Sequence, residues 1–127
     1  MSCFWDGLLS ALTDKELASV GIVRSSTELI CALQKRNVIT VGVTWQGTFL
    51  NNKALMENYA HVKSYDGKTY RDGYLTSACD PFMLLFCEIF RLKIEFMYDN
   101  HKINMSHANP LRTVKFKANR KHFEHVG

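Results

Sequence analysis

The run Asp80-Pro81-Phe82-Met83-Leu84-Leu85-Phe86-Cys87-Glu88-Ile89-Phe90 gives way, two residues on, to Lys93-Ile94-Glu95-Phe96-Met97-Tyr98, and the change of period between the two decides the fold. Aspartate accepts hydrogen bonds from first-turn amides, and proline at the first helical position gives up no intrahelical bond, so Asp80-Pro81 predicts a helix start. The helix it opens is apolar nearly all round. It has no wet face of ordinary width and belongs at the centre of the fold. In the next stretch Ile94, Phe96 and Tyr98 share one face at a period of two, which predicts a strand with one buried side. Further strands are expected at about 102–106 and at 112–118, where Val114, Phe116 and Ala118 oppose Lys115 and Lys117, and a short last one begins at His122.

Upstream of that core the chain reads mostly as helices. Phe4, Leu8 and Leu12 recur on one helical face beside Trp5 and Leu9, almost from the start of the sequence. Thr13 with Glu16, and Ser25 with Glu28, each have the spacing in which a hydroxyl and a carboxylate satisfy orphan amides reciprocally, and helices are expected at about 16–20 and 26–36. From Asn37 the period becomes two: Ile39, Val41, Val43 and Trp45 alternate with Thr40, Gly42 and Thr44, a half-buried strand that turns back at Gln46-Gly47 into Thr48 to Leu50. Asn51 or Asn52 caps a helix carrying Leu55, Met56, Tyr59 and Val62, and Asp66-Gly67 closes it as a turn. Helices first and strands after them predict an α+β fold, with N-terminal helices and a buried central helix packed on a small antiparallel sheet.

The 127 residues, 46% hydrophobic and 22% charged, supply one core, so residues 1–127 form a single domain. The apolar run Phe82 to Phe90 is under half of the roughly 20 residues a bilayer span needs. No basic stretch precedes an apolar one at Met1, so a secretory leader is not expected and the chain reads as cytoplasmic. Cys3, Cys31, Cys79 and Cys87 fit no zinc module and read as free thiols, Cys31 and Cys87 in the core; neither a metal nor a cofactor is expected. The net charge of +4 concentrates in Arg112, Lys115, Lys117, Arg120 and Lys121, a stretch able to meet phosphates. With only Phe116 among them it lacks the stacking aromatics of a single-strand binder, so a solvated strand face is the better reading and nucleic acid is not the expected partner.

One cysteine is placed for chemistry. Cys3 opens the first helix, where unpaired amides and the positive end of the helix dipole favour thiolate over thiol. Of the five histidines, His61 lies on a polar helix side, His101 in the Asp99-Asn100 turn and His107 in the approach to Pro110. His122 begins a strand and has Glu124 two residues on, so the two share a face and the carboxylate can orient the imidazole toward a sulfur. His125 falls on the opposite face, as a packing or surface residue.

In this order the pieces resemble the ovarian tumour (OTU) family of cysteine proteases. Ser2-Cys3-Phe4-Trp5-Asp6-Gly7-Leu8 is similar to the family's nucleophile helix, with two large residues after the cysteine, then any residue, a small one and an aliphatic. Gly73 through Asp80 to Leu84-Leu85, with Lys93-Ile94-Glu95-Phe96, resembles its buried helix and central strand, and Val114-Lys115-Phe116 with His122-Phe123-Glu124 its terminal strands and histidine motif. The resemblance covers the chain and implies a papain-like OTU fold and a peptidase or isopeptidase that cuts after the C-terminal glycine of ubiquitin or a ubiquitin-like protein. Cys3 is then the nucleophile, His122 the general base and Glu124 the orienting acid, with the Cys3 amide in the oxyanion hole. Gly73 and Tyr74 lie in a loop that reads first as an ordinary turn and otherwise as a lining of the substrate channel, and Phe123 packs beside the site on the substrate-binding side. Glu124 stands where the family more often has Asn or Asp. Only Met1 and Ser2 precede Cys3, so the Asp-containing loop that supplies a second oxyanion donor is not in this sequence; one such donor is worth roughly 10²- to 10³-fold in rate. The reading expects a monomer, and its brevity suits a protease piece of a viral or bacterial-effector polypeptide acting in a host cytoplasm. Another papain-like hydrolase of the NlpC/P60 type is disfavoured because His122 lies so far from Cys3. The alternatives are an OTU-like scaffold that holds ubiquitin without cutting it and a basic nucleic-acid-contacting domain.

Overall fold

Three helices, a short strand pair, two more helices and then four strands follow one another in the computed structural model, which describes residues 3–22, 25–65, 76–119 and 122–126 and leaves the side chains of Cys3 and of residues 76–79 outside that description. The elements are α1 (Cys3–Ala11), α2 (Asp14–Ser19), α3 (Ser26–Lys35), β1 (Val43–Trp45), β2 (Thr48–Phe49), α4 (Asn52–Ser64), α5 (Thr76–Phe90), β3 (Leu92–Tyr98), β4 (His101–His107), β5 (Arg112–Ala118) and β6 (Phe123–His125). The strands form one sheet in the order β2-β1-β4-β3-β5-β6. As the all-round apolar pattern requires, α5 lies in the core: Phe82, Met83, Leu84, Leu85, Phe86 and Cys87 are each 2% exposed or less. Inward residues Ile94, Phe96, Met105, Val114, Phe116 and Phe123 complete a core shared with Phe4, Trp5 and Leu8 of α1. The other sheet face presents Met97, Lys115 and Lys117 to solvent.

Local chemistry explains the capped ends. Thr13 and Glu16 form the reciprocal capping box of α2, and Asn51 Oδ1 accepts from the Ala54 amide at 2.8 Å to start α4. Ser25 accepts from the Glu28 amide at 3.5 Å. Gln46 and Gly47 both have positive φ, 51° and 82°, the backbone a two-residue hairpin loop needs, and Trp45 pairs with Thr48 across it.

Four expectations need correction. The central helix already includes Thr76, ahead of Asp80-Pro81, which places a proline inside it; the carbonyl deprived of a donor is that of residue 77. Asp80 is therefore no cap: it is buried, and desolvation pushes its carboxyl up to about 7. The strand expected from Asn37 begins only at Val43, and Ile39 and Val41 are exposed. Its partner β4 ends at His107, opposite Val43, so residues upstream have no ladder to join. The sheet is mixed, not antiparallel: β4 finishes beside the start of β3, and residues 108–111 cross that end to lay β5 parallel to β3, with Leu92 opposite Arg112. The crossing is pinned by the Leu111 amide on the Arg91 carbonyl at 2.7 Å and by the Arg91 guanidinium on the Asn109 carbonyl at 3.2 Å. Cys31 is exposed, since α3 turns Leu29, Ala32 and Leu33 inward and position 31 falls on its outer side. The Asp66-Gly67 turn lies outside the described residues.

Arg112, read as part of a phosphate-meeting stretch, is an internal clamp. Its Nη2 donates to the Ala11 carbonyl at 2.6 Å and to Glu16 Oε1, and its Nε donates to Glu16 Oε2 at 3.2 Å, which ties the α1–α2 junction to the sheet. Burial alone would push the Glu16 carboxyl up, but the hydrogen bonds from Arg112 and Thr13 and the guanidinium charge outweigh it and hold it below the ordinary 4.5. A carboxyl depressed in the fold stabilises above its unfolded pKa, and that stability is lost as pH falls through the folded value. Arg112→Met is expected to cost about 1–2 kcal/mol at pH 7 for a part-exposed pair, and to flatten the acid-side decline below pH 4.5; urea unfolding from pH 3 to pH 7 measures both.

Candidate functional site

Edge strand β6 and helix α1 lie along one another, and three contacts fix their register. Phe4 meets Phe123 edge-on with ring centroids 4.9 Å apart. A Cβ at Gly7 would come within 2.8 and 2.9 Å of the Phe123 ring and 3.7 Å of the His125 amide. Ser10 Oγ is hydrogen-bonded to His125 Nδ1 at 3.1 Å. Both elements therefore run the same way, and α1 begins at the end of β6 where His122 stands. These contacts explain the small residue at position 7. Phe123 is enclosed by Phe4, Phe96 and Phe116, so its ring cannot give way to a methyl group. Overpacking costs about 1–3 kcal/mol and the helix gains about 1 from losing a glycine. Gly7→Ala should accordingly be less stable than wild type by up to about 2 kcal/mol, which chemical denaturation reads directly.

Strand alternation splits β6 between two faces. Phe123, 1% exposed, and His125 turn toward α1; Glu124 turns to the open face, with His122 beside it. There His122 Nε2 lies 3.8 Å from Glu124 Oε2, so the expected pair is brought together. The other carboxylate oxygen is 3.2 Å from Lys117 Nζ. With Nε2 facing the carboxylate, Nδ1 is the nitrogen left to exchange a proton with a thiol. Both side chains are well exposed, 57% and 40%, and they border a groove of about 270 Å³ with Met97, Asp99, Lys117 and Asn119. The α1 helix packs on the Phe123–His125 face of β6, so the His122–Glu124 pair lies on the sheet face turned away from it.

Cys3 is the first residue of α1, so its amide has no intrahelical acceptor and stands at the positive end of the helix, as an oxyanion donor must. Its side chain, and Gly73 and Tyr74, lie outside the described residues. Phe123 carries the packing half of its expected role: a ring this buried offers no surface to a substrate. Lys115 lies 3.9 Å from Glu95 and Lys117 pairs with Glu124, so the described part of the basic stretch is largely matched by carboxylates. Among the remaining histidines, His61 is in the last turns of α4 and His101 opens β4. His107 is less ordinary. Its Nε2 is 3.5 Å from Glu88 Oε2, its Nδ1 accepts from the Asn109 amide at 3.0 Å, and Glu88 Oε1 accepts from the Gly42 amide at 3.2 Å. This staple fixes where β1 begins, and the only carboxylate inside the apolar run of α5 was the signal for it. The buried Cys87 thiol is pushed up by desolvation and is inert.

Among the described residues no three His, Cys, Asp or Glu side chains come together as a metal site, and no helix is long and apolar enough to cross a membrane. No protein-family model matches the chain, and neither a curated protein nor a solved structure is found to match it.

Proposed function

We propose that the chain is a cysteine isopeptidase or peptidase of the OTU class that cuts after the C-terminal glycine of ubiquitin or a ubiquitin-like protein. The observation that carries the reading is the His122–Glu124 contact, 3.8 Å, at the start of the strand that packs along the helix opened by Cys3. His122 removes the thiol proton through Nδ1, the sulfur attacks the glycine carbonyl carbon, and the oxyanion is met by the Cys3 amide. The carbon–nitrogen bond breaks as the imidazole returns its proton to the leaving amine. Water, deprotonated by the same imidazole, then hydrolyses the thioester. Glu124 holds the ring in orientation throughout, with Lys117 paired to its other oxygen. Incubation with ubiquitin bearing a C-terminal electrophile tests the proposal. A single adduct on Cys3, absent in Cys3→Ala, supports it. Labelling that persists in Cys3→Ala, for which the exposed Cys31 is the first residue to map, or a folded protein that takes no label, overturns it.

A further inference from the structure

We infer that Ser10 and His125 are positioning residues, a latch that holds the His122–Glu124 strand in catalytic register with the Cys3 helix; the inference rests on the function proposed above. The sheet itself holds β6 weakly. The strand has three residues, is bonded to β5 alone, and ends the sheet. Its ladder to β5 fixes its height but not how closely it lies to α1. That spacing is set by Phe4 and Gly7 on Phe123, at the site's end of the strand, and by the 3.1 Å Ser10–His125 bond at the far end. Apolar contacts at one end permit the strand to pivot; a hydrogen bond at the other stops it. The His125 ring is steadied in turn by Phe116, 5.8 Å away between centroids, so the latch is anchored to the core through β5.

The consequence falls on the chemistry and not on binding. A proton-transfer pair displaced by about 1 Å loses up to 10²-fold, whereas the surface that receives the substrate is unchanged. Kinetics on ubiquitin carrying a C-terminal aminocoumarin amide separate the two. For one lost hydrogen bond, Ser10→Ala and His125→Ala should each lower kcat about three- to tenfold, with KM within about twofold. His125→Gln, which keeps a hydrogen-bonding group but no basicity, should recover most of the loss, and the double variant should be no worse than His125→Ala. Ser10 is exposed, so its variant folds whatever His125→Ala does. Unchanged kcat in both single variants, a change in KM alone, or failure of His125→Gln to recover would overturn the latch. Iodoacetamide alkylation of Cys3 across pH supplies the separate control. If wild type neither turns over nor shows His122-dependent thiol reactivity, the proposed function fails and the latch with it. If wild type does both and the variants match it, the latch alone fails.

Discussion

Replacing His122 by alanine should lower kcat/KM on a ubiquitin-type substrate by roughly 10²- to 10⁴-fold, the range a positioned general base supplies, and leave the melting temperature where it is. The second half of the expectation follows from burial: the imidazole is 57% exposed and faces Glu124 at 3.8 Å. Glu124→Ala should cost less, about tenfold, because the carboxylate orients the ring and does not take the proton. Its 3.8 Å separation and its division of labour with Lys117 point the same way. Residues acting as a unit are not additive, so the double variant should be no slower than His122→Ala. Steady-state kinetics beside thermal melts read all three proteins. A His122→Ala enzyme within threefold of wild type means that the proton goes elsewhere, and the assignment of the site falls.

What the sequence disclosed of this arrangement, and what it hid, divides along a physical line. Features set by residues near in sequence were legible. The capping box at Thr13, the Asn51 cap, the Gln46-Gly47 turn and the alternation of β3 and β5 are decided within a few residues, and each is present. The His122–Glu124 contact belongs with them: β6 begins at Phe123, one residue later than expected, yet His122 and Glu124, two residues apart across that start, still meet. Features set by partners remote in sequence were not legible. Ile39 and Val41 alternate as well as Val43 and Trp45, yet only the latter have β4 beside them. The parallel pairing of β3 with β5 depends on how residues 108–111 cross a strand end, which no period encodes. Arg112 looked like its neighbouring lysines until Glu16, far back in the chain, was folded against it.

Asp80-Pro81 shows a third case, in which a correct local rule is overruled. Both residues suit a helix start, yet the helix already includes Thr76, and the aspartate enters the core with its carboxyl raised to about 7. Burial of the apolar run Phe82 to Phe90 commits the helix axis to the centre of the fold. A carboxyl that would have met first-turn amides in water is carried inside with it.

Phe123→Ala carries a large expected loss of stability, and it links fold and site. The ring is 1% exposed and meets Phe4 and Phe116 at 4.9 Å and Phe96 at 5.7 Å, so it joins α1, β3, β5 and β6 at one point. Truncating a buried phenylalanine costs about 3–5 kcal/mol through lost transfer energy and the cavity left behind, set against a total of about 5–15 kcal/mol for a domain. The upper half of the cost applies here, because a three-residue edge strand has no other inward anchor at that end. The partly collapsing substitution Phe123→Leu should cost about 1–2 kcal/mol and keep the protein folded. Chemical denaturation of the two variants gives the stabilities. Kinetics of Phe123→Leu then tell whether the ring also serves the site: loosening it frees His122 and Glu124 on either side, so kcat should fall while KM holds. Wild-type stability in Phe123→Ala would mean that β6 is not packed against α1, and the register on which the candidate site depends would be lost.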